Sequence, residues 1–145
     1  MQKLNLTKEQ LEQIKKFQKN EITEYLIYLR LAEKIKNEEN RKVLEKIAEE
    51  EKSHYDFWKG YTHYEVKPYN RKVFFYTLIV KIFGLTFGIK LMENGENQAN
   101  EKYMLFAEII PEALKIAGEE GEHEKRLISI LHEEKLNYIG SVVLG

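Results

Sequence analysis

The chain has 145 residues, of which 43% are hydrophobic and 32% charged, with a net charge of −1. That length suits one domain with a sizeable core, and the charge balance leaves no electrostatic footprint for nucleic acid. The absence of cysteine excludes disulfides and thiolate ligands, so any metal must be held by carboxylate and imidazole groups.

The first twenty residues contain neither a continuous apolar run nor a small-residue cleavage signature, so no signal peptide and a cytoplasmic location are expected. Thr7-x-x-Gln10 has capping-box form and precedes Leu11, Ile14, Phe17, Tyr25, Tyr28, Ala32 and Ile35 at helical spacing. These predict helix 1, to about Lys36. Asn37, with Glu38 and Glu39 behind it, supplies a cap and an acidic first turn for helix 2. The helix 2 stripe is Leu44, Ile47, Trp58 and Tyr61, and it ends before Pro68. The short loop between them makes an antiparallel hairpin.

Residues 69–92 are the most apolar stretch. Lys81 and Lys90 interrupt a run already near the minimum spanning length, so membrane association is not expected. Gly84-x-x-x-Gly88 is a close-packing motif, and the segment reads as a buried crossover helix or a homodimer surface. "ENGENQANEKYMLFAEII" continues it as helix 3, and Pro111 opens helix 4. Helix 4 carries Leu114, Ala117, Leu127 and Leu131 to about Lys135, and the tail "LNYIGSVVLG" is too short to assign. Two hairpins around a long segment predict an all-α four-helix bundle, one domain over 1–145, with a long crossover between helix 2 and helix 3.

Each helix places a carboxylate in its own apolar seam. Helix 1 has Ile14, Glu21, Tyr28 and Ile35, with Glu24 at the edge. Helix 2 has Leu44, Ile47, Glu51, His54, Trp58 and Tyr61. Helix 3 has Ile89, Met92, Glu96, Tyr103 and Ile110, with Glu93 one position off, and helix 4 has Ile116, Glu120, His123, Leu127 and Ile130. Burying four ionised carboxylates costs several kcal/mol each unless something compensates. Two divalent cations would balance the charge. One Glu from each of two helices plus Glu-x-x-His from the other two is a ligand set used by di-metal bundles. Glu49 and Glu50 read as surface charge, and Glu24 and Glu93 as equally suited to surface or site. Gly118 and Gly121 read as making room for a neighbouring helix or a ligand on the metal. The seam aromatics read as core, with no redox role.

With these residues in view, the chain resembles the rubrerythrin and ferritin-like di-iron carboxylate family over about residues 11–135. "NEITEYLIYLRLAEK" is similar to its first helix, and "EEEKSHYDFW" and "EEGEHEKRL" to its two Glu-x-x-His segments. "FGLTFGIKLMENGE" and "YIGSVVLG" resemble more closely the ferritin-like domain found before vacuolar-iron-transporter-like membrane domains. The resemblance implies a ferritin-like bundle holding two iron ions, with manganese or zinc compatible with the same ligands. It implies Glu51 and Glu120 as bridging, catalytic ligands and His54 and His123 as terminal ones. Glu21 would be a further ligand, as would Glu93 or Glu96 from helix 3, with Glu96 favoured by register. Tyr28 and Tyr103 would donate hydrogen bonds to carboxylates.

The implied activity is oxidation of Fe(II) by O2 or H2O2, as a ferroxidase or a rubrerythrin-like peroxide reductase. Without cysteine there is no rubredoxin-type iron centre, so electrons would come from an external donor. The alternative is a non-catalytic iron-binding or sensing module that docks to a partner or a membrane transporter.

Overall fold

The computed structural model describes the backbone of residues 5–144 and the side chains of residues 5–92 and 101–132. Among them are five α-helices and no strand: α1 Lys8–Lys34, α2 Glu38–Thr62, α3 Asn70–Phe83, α4 Leu85–Phe106 and α5 Ala113–Leu144. The α1 start is the expected capping box, with Gln10 N–H donating to Thr7 Oγ1 at 3.1 Å and Thr7 N–H to Gln10 Oε1 at 2.9 Å. Asn37 caps α2 through a 3.0 Å bond from Asn40 N–H.

α1 packs along α2 and α4 along α5, while α1 also meets α4 and α2 meets α5. These four helices are the bundle walls, an all-α ferritin-like arrangement. α3 is the crossover and lies against α1 and α4. The loop ahead of it is tied to α1, where buried Gln18 donates to Tyr64 O at 2.6 Å and accepts from Thr62 Oγ1 at 2.7 Å.

Several expectations need correction here. The apolar stretch is not one connector: Gly84, at φ 93°, breaks it, so the third wall begins at Leu85 and not at residue 93. A Cβ on Gly88 would lie 2.5 Å from Val80 Cγ2, so this glycine of the predicted pair lets α4 close on α3. The crossover is not buried all round, since α3 buries only Val73, Ile79 and Val80. α5 starts two residues after Pro111 and runs well past Lys135, through the tail left unassigned above. Leu114 faces out, and the α5 seam is Ile116, Leu127 and Ile130. Gly118 is exposed with nothing within 4 Å of a built Cβ, so it makes room for no neighbour.

The core forms two apolar blocks. One gathers Tyr28, Leu31, Leu44, Ile47, Ile89, Met92, Leu127 and Ile130, with Val73 and Val80 from α3. The other gathers Ile14, Phe17, Trp58, Tyr103, Ile110 and Ile116. In the seams of α1, α2 and α5, the residues between the two blocks are charged.

Candidate metal centre

Glu21 and Glu24 come from α1, Glu51 and His54 from α2, and Glu120 and His123 from α5. Helical spacing of three or four residues turns each pair inward. Glu21, Glu51, Glu120 and His123 are fully buried and His54 is 3% exposed. One ligand atom from each of Glu21, Glu51, His54 and Glu120 lies within 4.8 Å of all the others, a spacing that can hold a metal ion. Thus five of the residues expected at the site converge. Glu93 and Glu96 lie on α4 outside the residues whose side chains are described.

The two Glu-x-x-His pairs face each other across α2 and α5. His54 Nδ1 sits 3.0 Å from Glu120 Oε1 and 3.4 Å from Glu21 Oε2. His123 Nδ1 sits 2.7 Å from Glu51 Oε1 and 3.8 Å from Glu120 Oε2. The imidazoles stack with centroids 5.9 Å apart. In both rings Nδ1 is turned to the carboxylates.

The outer nitrogens complete a cross-helix exchange. His54 Nε2 pairs with Glu119 of α5, and His123 Nε2 pairs with Glu50 of α2. Arg126 Nη1 backs Glu50 at 3.3 Å. Glu50 is therefore part of the site, which corrects its reading as surface charge; Glu49 is exposed as expected. A signal for both carboxylates was present in the sequence, because Glu-Glu-x-x-His occurs twice, at 50–54 and 119–123. Carboxylates that accept from the outer nitrogen of an imidazole fix its orientation and tautomer.

Tyr103 O–H donates to Glu21 Oε1, one of the two tyrosine roles expected. Tyr28 is fully buried, and its hydroxyl is pushed well above its ordinary pKa by burial and then by Glu24, Glu51 and Glu120. Glu24 is 8% exposed, so it belongs to the interior and not to the surface.

Electrostatics mark the cluster as short of positive charge. Burial, then Glu120 and Glu21, raises Glu24 to about 8. The same causes lift Glu51 well above the carboxylate range. Burial would lower both histidines, but the carboxylates around them win. Glu120 and Glu21 hold His54 up to about 11, and Glu120 and Glu50 hold His123 up to about 9. Burial would raise Glu120, yet the two imidazoles beside it bring it below its ordinary value. The hydrogen bond from His123 is the main reason Glu50 falls to about 2.

Protons on the histidines offset part of the charge, but not all the lone pairs are used. Glu21 Oε2, both oxygens of Glu51 and Glu120 Oε2 are buried without a hydrogen bond of normal geometry, although His123 Nδ1 lies 2.7 Å from Glu51 Oε1 and His54 Nδ1 3.4 Å from Glu21 Oε2. A buried acceptor left without a donor costs about 1–3 kcal/mol. Four of them on three facing carboxylates, with imidazole nitrogens beside them, fit divalent metal in donor type and in the sign of the charge they call for.

Residues 2–62, which include α1 and α2, match the family model described as Rubrerythrin. This supports a place for the chain in the rubrerythrin and ferritin-like family, and with the buried Glu/His cluster it points to a di-iron site. The match does not reach residues 83–96 and 138–145, so nothing supports the expected likeness to transporter-associated domains. Comparison with curated proteins and with solved structures returned no match.

Proposed function

We propose that this rubrerythrin-like chain is a non-haem di-iron carboxylate protein that oxidises Fe(II) with O2 or H2O2. The observation that carries the proposal is the set of buried carboxylate oxygens whose hydrogen bonding is incomplete, gathered between two facing Glu-x-x-His pairs. Glu51 and Glu120, from facing walls, would be held in common by two irons, with His54, His123, Glu21 and a helix α4 glutamate, Glu93 or Glu96, as the other residues that would hold them. When bound, the two ferrous ions supply two electrons, enough to take H2O2 and two protons to two waters. Manganese or zinc suits the same ligands, and iron is favoured here by the family match.

The protein's own groups prepare that chemistry. Glu119 and Glu50 hold the outer imidazole nitrogens, which keeps each Nδ1 aimed at the carboxylates. Tyr103 occupies one oxygen of Glu21 and leaves the other for metal. The apolar blocks on either side keep bulk water from the layer. With no cysteine, the chain has no rubredoxin-type centre, so re-reduction in place would draw on an external electron donor. Release of the oxidised iron would make the protein a ferroxidase, and re-reduction would make it a peroxide reductase.

A second reading is a non-catalytic iron-binding or sensing module that docks elsewhere; the exposed apolar face of α3 favours docking. Turnover separates the two. Protein loaded anaerobically with Fe(II) is mixed with O2 or H2O2, and residual Fe(II) is followed with a ferrous chelator. The proposal expects two Fe(II) consumed per chain, faster than free iron in the same buffer. Oxidation no faster than free iron would leave the binding module as the reading.

A further inference from the structure

The outer face of α3 carries apolar side chains where a surface helix ordinarily carries charge. Positions 71, 75, 78 and 82 follow one another at helical spacing, opposite the buried Val73 and Val80. Phe75 is 54% exposed and Ile82 63%, and Leu78 lies between them, also exposed. Phe74 and Phe83 flank the row, and Phe87 lies beside Phe83 with its ring tilted and the centroids 5.4 Å apart. Exposed aromatic and aliphatic groups in one contiguous patch mark an interaction surface.

Charge narrows the choice of partner. Between Glu65 and Glu93 the sequence holds Lys67, Arg71, Lys72, Lys81 and Lys90 and no acidic residue, in a chain whose net charge is −1. All five cations are exposed. A second copy docking face to face would bring together two α3 segments that carry cations and no acidic residue, a like-charge contact that disfavours the pairing. A protein partner would need a groove with an acidic rim to receive a convex helix. An anionic bilayer surface needs neither, because apolar tips enter between the headgroups while lysine and arginine stems reach outward to the phosphates.

We propose that the outer face of α3 seats the bundle on anionic phospholipid membranes, lying in the interface and not crossing it. The fourteen residues of α3 span about 21 Å, short of the roughly 30 Å hydrocarbon core. No helix among the described residues is long and apolar enough to cross a membrane. The second exposed apolar group, Met104, Leu105 and Leu114, has Glu101, Glu108 and Glu112 for neighbours in sequence as well as Lys102 and Lys115, and serves as an internal control.

The test is flotation of the full chain with vesicles of phosphatidylcholine alone and of phosphatidylcholine mixed with phosphatidylglycerol. Wild type is expected to float with the mixed vesicles and at least tenfold less with the neutral ones. Each cation lost should weaken partitioning about fivefold, so Arg71→Glu with Lys81→Glu should abolish it at moderate salt. Phe75→Asp with Ile82→Asp should do the same, while Leu105→Asp should bind like wild type. Circular dichroism checks each fold, and the charge-reversal pair carries the result if the apolar pair misfolds. Equal partitioning on both vesicle types, or on neither, would overturn the proposal. So would a wild-type dimer that Phe75→Asp with Ile82→Asp turns monomeric while no variant alters flotation.

Discussion

Between α1, α2 and α5 six ionisable side chains, Glu21, Glu24, Glu51, His54, Glu120 and His123, are at most 8% exposed. On α3, Phe74, Phe75, Ile82 and Phe83 are each more than half exposed. The two regions depart from ordinary solvation in opposite directions, charge inside and aromatic rings outside. The interior layer carries buried carboxylate oxygens whose hydrogen bonding is incomplete, and the outer face carries apolar surface on a segment whose charged residues are all cations. The partners proposed for them differ accordingly, divalent cations for one and a membrane surface for the other.

The largest effect expected is on metal content. Glu120→Ala should reduce bound iron from about two per chain to none by elemental analysis after gel filtration, because in the proposed ligand set Glu120 serves both irons. Retention of one iron would show that the two sites are independent.

Removing apolar groups should affect the two regions unequally. Leu44→Ala, in the block beside the charged layer, should cost about 2–5 kcal/mol in urea unfolding. Phe75→Ser on the α3 face should stay within about 0.5 kcal/mol. A large loss from Phe75→Ser would mean that the face supports the fold and is not reserved for a partner.

Glu50→Gln and Glu119→Gln should each weaken metal affinity about 10–100-fold while leaving two sites, since these carboxylates orient the histidines without joining the oxygens between them. Affinity unchanged in both variants would show that the rings are held by helix packing alone.

The smallest effect is on pH dependence, and its sign differs between metal-free and metal-loaded protein. Glu24 is raised to about 8, His123 to about 9 and His54 to about 11, so the folded chain keeps protons that the unfolded chain releases from about pH 4.5 upward. Metal-free stability should therefore fall as pH rises from 5 to 9. The depressed Glu50 and Glu120 act below that window, where protonation takes stability away. Metal must displace those same protons, so iron affinity should rise over pH 5 to 9, with proton release measurable in weakly buffered titrations.

Much of this buried cluster was legible in the sequence because a polar group that a helix turns into the core must share the register of its hydrophobic seam. Glu21, Glu51, His54, Glu120 and His123 each occupy a seam position, and each is buried in the fold. Glu50 was less visible because it lies one residue off its own seam and acts on a histidine of another helix, a contact that single-helix periodicity does not contain. Only the doubled Glu-Glu-x-x-His offered a clue, among many glutamates. Gly84 was read as half of a packing motif, whereas its positive φ makes it the break that lets one apolar stretch serve as crossover and then as wall. The sequence left the α3 segment open between a buried crossover and a dimer surface, because hydropathy alone does not tell a helix buried on all sides from one that is half bare.

The central claim is that the charged layer is a two-iron site. Anaerobic titration of metal-free protein with Fe(II), followed by X-ray absorption at the iron edge, tests it most directly. The account predicts saturation at two irons per chain, nitrogen and oxygen ligands only, and an iron–iron vector lost in Glu120→Ala. Saturation at fewer than two, or two irons unaffected by that substitution, would contradict it.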